Sequence, residues 1–178
     1  MIDNNQLNDP QAYQGALRIA WDAGTHEEPI SPALVLDILE AWHGCRAYRR
    51  SYVRCGTIDV PDWTAVPQQM NALYGGVSFS FSEGETVLVG EAEEQFYKKD
   101  LPSFLAWMWM EHVAIQPLLD GNKRGAVLVL FYWLGREWVR SGVQYTFNAH
   151  IPFKRIMEAR DPYRVLACWF GEVLEPVH

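Results

Sequence analysis

The sequence predicts a mainly α fold with a few short strands. Apolar residues recur at spacings of three and four over several stretches, and capping residues stand where those stretches begin. Strict alternation is confined to brief segments such as "SYVRCGTIDV" and "VQYTF". With 178 residues, nearly half of them apolar and eight of them Trp, the chain is long enough for one well-buried core and short for two. A single domain over 1–178 is therefore expected, with no fixed-period repeat and no low-complexity linker to divide it.

The first helix is expected in "PQAYQGALRIAWDAG", opened by Pro10 and closed at Gly24. The second lies in "SPALVLDILEAWHGCRAYRR", where Ser31 can cap, Pro32 suits the first turn, and Leu34, Val35, Ile38, Leu39 and Trp42 form a stripe. "SYVRCGTIDV" follows as an extended segment or small hairpin. Next comes a helix in "DWTAVPQQMNALYGG", with Asp62 as its cap and Gly75 and Gly76 as its stop. "VSFSFSEGETVLVG" alternates about Glu83-Gly84, as a hairpin would. "LPSFLAWMWMEHVAI" is apolar around most of its circumference and predicts a helix running through the core. After it come a helix from Gly125 to about Arg140, an extended "VQYTF", a helix near Pro152 to Arg160, and a last helix in "DPYRVLACWFGEVLE" begun by Asp161.

Composition excludes several function classes. A net charge of −7 and a pI near 5.2 disfavour binding to nucleic-acid phosphates over most of the surface. Cys45, Cys55 and Cys168 are odd in number and lack CxxC or His companions, so they are expected as reduced thiols of a cytoplasmic protein. The N-terminal "MIDNNQLNDPQAYQG" lacks the basic start and apolar stretch of a signal peptide, and no apolar run reaches the roughly 18 residues that span a bilayer. No membrane role is expected.

The chemistry is concentrated in "IQPLLDGNKRGAV". Asp120 can give a carboxylate oxygen to a hard cation, and a helix starting about Gly121 would aim backbone N–H groups at an anion. Gly121 permits a tight turn, Asn122 tolerates unusual dihedrals, and Lys123 and Arg124 are cationic donors suited to phosphate. The plainer alternative is an ordinary turn in which Asp120 caps a helix and the basic pair is solvated.

The segment resembles the signature of the Fic/Doc family, His-Pro-Phe-x-[Asp/Glu]-Gly-Asn-[Gly/Lys]-Arg. Here Gln116-Pro117-Leu118-Leu119-Asp120-Gly121-Asn122-Lys123-Arg124 fits six of eight specified positions, with Gln116 in place of His and Leu118 in place of Phe. Upstream, "ILEAWHGCRAYRRSYVRCGTIDVPDWTAVPQQMNAL" is similar to the family's helix, hairpin flap and following helix, so the likeness runs from about Ser31 to Arg140. The resemblance implies a small helical bundle with a β-hairpin flap over the site. It implies that Mg²⁺ and a nucleoside triphosphate, ATP first, bind there and that AMP or phosphate passes to a protein hydroxyl. Asp120 would hold Mg²⁺, Gly121 and Asn122 would form the anion hole, and Arg124 would pair with phosphate. Lys123 matches the Doc-like variant associated with phosphoryl transfer, and Gly125 stands where Thr or Ser is frequent. A protein target or partner is implied at the flap. No self-inhibitory Ser/Thr-x-x-x-Glu-Gly/Asn run is present, so any inhibition would come from a separate inhibitor or antitoxin protein, or from the base-lacking site itself. The resemblance also implies a bacterial or phage source, with a toxin or a host-delivered effector among the settings.

Gln116 is the decisive departure, since an amide does not titrate near neutral pH and cannot act as the general base. Two readings follow: a degenerate member that holds a nucleotide, another phosphorylated ligand or a partner without turnover, and a transferase with slow or unusual chemistry. A different reaction on the same phosphate cradle is a third. His112, one turn before Gln116, and His43 are expected as core histidines. Arg49, Arg50 and Arg54 are either phosphate-positioning groups or a solvated basic face.

Overall fold

Asp9 begins the first helix, α1 (Pro10–Thr25), by accepting a 2.8 Å bond from the Gln11 N–H, with Pro10 at the first helical position. The coordinates are those of a computed structural model, which describes residues 9–54, 60–75, 79–80, 86–87, 100–147 and 150–177. Helix α2 (Pro32–His43) is capped by Ser31, whose hydroxyl accepts from the Leu34 N–H at 3.1 Å, and is stopped by Gly44 at φ 73°. Helix α3 (Val66–Tyr74) starts later than expected. Asp62 is not its cap: that carboxylate is taken by the N–H and hydroxyl of Thr64, and the cap position of α3 is Ala65, with no side-chain cap bond.

Strands β1 (Phe79–Ser80) and β2 (Thr86–Val87) pair antiparallel, Phe79 opposite Val87 and Ser80 opposite Thr86. The expected reversal at Glu83-Gly84 lies outside the described residues. Within "SYVRCGTIDV", residues 51–54 and 60 carry no strand, and 55–59 lie outside the described residues.

Helix α4 (Leu101–Ile115) is buried on nearly every side, and the 20-residue α5 (Asn122–Ser141) packs against it. Strand β3 (Gln144–Thr146) confirms the extended "VQYTF", α6 (Phe153–Met157) is shorter than expected, and α7 (Pro162–Val173) is capped by Asp161. The chain then forms β4 (Glu175–Val177), which pairs antiparallel with β3. The fold is mainly α with short antiparallel strand pairs. Among the described residues no helix is long and apolar enough to cross a membrane.

The core is one contiguous cluster to which α1–α7 all contribute. Within it α1 and α5 approach backbone to backbone. A Cβ on Gly24 would stand 2.1 Å from the Tyr132 carbonyl oxygen, and one on Gly135 would stand 2.7 Å from the Trp21 carbonyl oxygen. Only glycine at these two positions lets the two backbones meet. Toward the other ends the Tyr13 hydroxyl reaches the Arg124 carbonyl at 3.4 Å, so the two helices run parallel and α5 presents its N-terminus beside the start of α1.

Candidate functional site

Helix α4 ends at Gln116, whose backbone is left-handed with φ 50° and ψ 60°. A non-glycine residue held there carries strain of about 1 kcal/mol or more, so something must hold it. Its Nε2 donates to the Val113 carbonyl at 2.6 Å, its Oε1 accepts from Asn122 Nδ2 at 2.9 Å, and its own carbonyl accepts from Arg49 Nε at 2.7 Å. Both the nitrogen and the oxygen of the amide thus have partners, one in α4 and one in α5, and Gln116 is only 5% exposed.

Asn122 is the loop's second brace. Its Oδ1 accepts from the Leu118 N–H at 2.7 Å and its Nδ2 donates to the Leu118 carbonyl at 2.9 Å, closing the turn around itself. With that side chain buried and consumed, Asn122 can offer an anion only its backbone N–H. Gly121 takes φ 80°, and a Cβ there would lie 2.4 Å from the Trp42 ring. Both the dihedral and the indole demand glycine. Helix α5 begins at this glycine without a side-chain cap bond, so its cap residue's side chain takes up none of the first-turn N–H groups that an anion site uses.

The exposed Asp120 does not cap α5. Its Oδ1 accepts from the next residue's N–H at 2.6 Å, and the cap position belongs to Gly121. Lys123 and Arg124 are exposed but are not simply solvated: the Lys123 ammonium lies 3.4 Å from the centre of the Phe153 ring and the Arg124 guanidinium 5.0 Å from that of Trp42. Aromatic faces hold both cations in place.

Gln116, Asp120, Gly121, Asn122, Lys123 and Arg124 all line one cleft of about 1080 Å³. Arg54 joins them from the segment before α3, and His150 from the segment before α6. Three permanent cations and one carboxylate therefore line this cleft in a chain of net charge −7. Such a concentration attracts anions. The remaining wall is largely apolar, with Leu17, Val127, Phe131, Phe147 and Ile151. Sequence reasoning did not anticipate His150 or this wall; an isolated His in "FNAHIPF" carries no local signal that it faces a loop some thirty residues earlier.

Arg49 departs from both expectations, being neither a phosphate-positioning group in the cleft lining nor part of a solvated basic face. Only 3% exposed, it donates to the carbonyls of Gln116, Ser51 and Pro61, and its backbone N–H donates to Pro117 at 2.8 Å. It ties the loop to the segment before α3. Arg50 is exposed and outside the cleft lining.

His112 and His43 are core residues. His112 is fully buried with its Nδ1 2.7 Å from the Tyr74 hydroxyl, and burial pushes it down to about 3. Burial also lowers His43. Beside His112, burial raises Glu111 to about 7, partly offset by the 2.5 Å bond it accepts from the Tyr163 hydroxyl. Cys45 and Cys168 are free thiols, and Cys55 lies outside the described residues.

No group of three or more His, Cys, Asp or Glu gathers for a metal among the described residues. Asp120 alone suits a Mg²⁺ ion that takes its other ligands from phosphate oxygens and water, the common way this hard cation is held. Comparison of the chain with protein-family models and with curated proteins finds no match.

Proposed function

We propose that this is a Fic/Doc-type protein that holds a phosphorylated small molecule at the 116–124 loop and has lost the family's transfer step. The observation that carries this reading is the engagement of Gln116. Its amide braces the loop through Val113 and Asn122, and an amide does not accept a substrate proton near neutral pH. The binding equipment is separate from it: the backbone N–H groups at the start of α5, the aromatic-seated Lys123 and Arg124, and Asp120.

A nucleoside triphosphate such as ATP with Mg²⁺ is the ligand that the resemblance suggests. Bound Mg²⁺ would neutralise phosphate charge, with Asp120 as its protein ligand. Lys123 and Arg124 would pair with phosphate oxygens, and Asn122 would direct its backbone N–H at them, the Gly121 N–H being donated to Asp120 Oδ1. Calorimetry with ATP and with inorganic pyrophosphate, each with Mg²⁺, tests this. Wild type binds and Arg124→Ala weakens binding by tenfold or more; silence toward both probes would sink the proposal.

A second reading, an active AMP- or phosphotransferase, is favoured by one observation: His150 lines the same cleft as Asp120 and Lys123. Transfer of label from ATP to a protein acceptor, lost in His150→Ala at unchanged ATP affinity, would establish it in place of the first.

A further inference from the structure

The geometry points to a ligand whose organic part is an apolar chain: a diphosphate ester lying head-first on the 116–124 loop, its tail running between α1 and α5. This narrows the ligand of the phosphate-holding reading and rests on it.

The cleft is polarised along its length. Apart from Arg54, its charged side chains are Asp120, Lys123 and Arg124, all at the loop. Along α5 from there, the cleft-facing residues are Val127 and Phe131, one turn apart, with Leu17 of α1 also in the wall and Phe147 and Ile151 from the segment before α6. Phe131 and Phe147 pack with their ring centres 5.8 Å apart. Because the helices are parallel, this apolar wall continues away from the phosphate end. From Asn122 to Phe131 the helix rise covers ~13 Å, the reach of roughly ten carbon–carbon bonds at ~1.3 Å of advance each.

The groove does not stop there. A second hollow of about 570 Å³ shares Gln14, Leu17 and Phe131 with the first and extends to Trp21 and Tyr145, with Arg18, Gln144 and Thr146 also in its lining. A phosphate head at one end and an apolar run leading into a further hollow fit a linear amphiphile. A nucleoside would bring sugar hydroxyls and base edges that need polar partners when desolvated. Beside the apolar run the polar side chains are Tyr13, Gln14 and His150, and the Tyr13 hydroxyl already donates to the Arg124 carbonyl.

Calorimetry on the full chain with Mg²⁺ compares geranyl diphosphate, inorganic pyrophosphate and ADP. Geranyl diphosphate should bind at least tenfold tighter than pyrophosphate and tighter than ADP. Leu17→Asn should erase that gain while leaving pyrophosphate affinity unchanged, which also reports an intact fold. Val127→Thr, nearly the same shape, should reduce the gain if Leu17→Asn fails to fold. Equal affinity for geranyl diphosphate and pyrophosphate, tighter binding of ADP, or a gain that survives the substitutions overturns the apolar-chain ligand while the phosphate-holding reading stands. Failure of all three probes to bind overturns both.

Discussion

Replacing Glu111 by Gln should stabilise the protein above neutral pH and leave it nearly unchanged near pH 4.5. Glu111 sits on α4, 8% exposed, and accepts a 2.5 Å bond from the Tyr163 hydroxyl on α7. Burial raises its carboxyl from 4.5 to about 7, because the charged form is poorly solvated there. A raised carboxyl means that the folded state favours the protonated form. The stability linked to it is complete below about 4.5 and is lost as pH rises through about 7. At ~1.4 kcal/mol per unit, a gap of about 2.5 units between those values amounts to ~3 kcal/mol at pH 8. Gln keeps the size and the acceptor for Tyr163 but carries no charge to desolvate. For a chain of this size the gain corresponds to roughly 6–12 °C in Tm. Urea and thermal unfolding of both proteins at pH 5, 6, 7 and 8 measure it. The neighbouring His112, lowered to about 3, acts in the opposite sense and weakens the fold as pH falls below its ordinary value of 6.5, but it is common to both proteins and cancels in the difference. A wild-type–variant gap that stays flat from pH 5 to 8, or a less stable variant at pH 8, would refute the assignment of a buried, charge-averse Glu111.

Asn122→Ala strips three buried hydrogen bonds from the loop and should cost ~2–4 kcal/mol in urea unfolding. Asn122→Asp should be no milder, since it sets a carboxylate against the Gln116 Oε1 and the Leu118 carbonyl, and a neutral result for either would remove Asn122 as a brace. Gly24→Ala should destabilise by ~3 kcal/mol or more through its collision with the Tyr132 carbonyl. Gly15→Ala on the same helix meets open space and should stabilise by ~0.5–1 kcal/mol; thermal melts that rank the pair the other way contradict the α1–α5 packing. Gln116→His should raise label transfer from ATP by ~10²–10⁴-fold if the loop holds nucleotide in the family's manner, and a variant that folds, binds ATP and still transfers nothing would count against that manner.

Much of the fold was legible because it depends on neighbours within four residues. Ser31 and Asp161 cap where local sequence said they would, and Gly75 ends α3. Asp62 misled for the same local reason: Thr64, two residues on, competes for its carboxylate more effectively than a helix that begins at Val66. The pairing of β3 with β4 was not legible, since it joins segments some thirty residues apart and no residue near Tyr145 signals Pro176 as its partner.

The same division runs through the site. By itself the sequence determined that Asp120, Gly121, Asn122, Lys123 and Arg124 stand together, because contiguous residues at a helix start cannot be separated. It also determined that residue 116 is an amide without a useful proton affinity. Only the tertiary structure decided that this amide is spent on Val113 and Asn122, that Arg49 is an interior tie, and that Trp42 forbids any side chain at residue 121. It alone brought His150, Arg54 and the apolar wall to the loop. These depend on contacts between distant elements, where packing and burial, rather than local preference, set which groups meet.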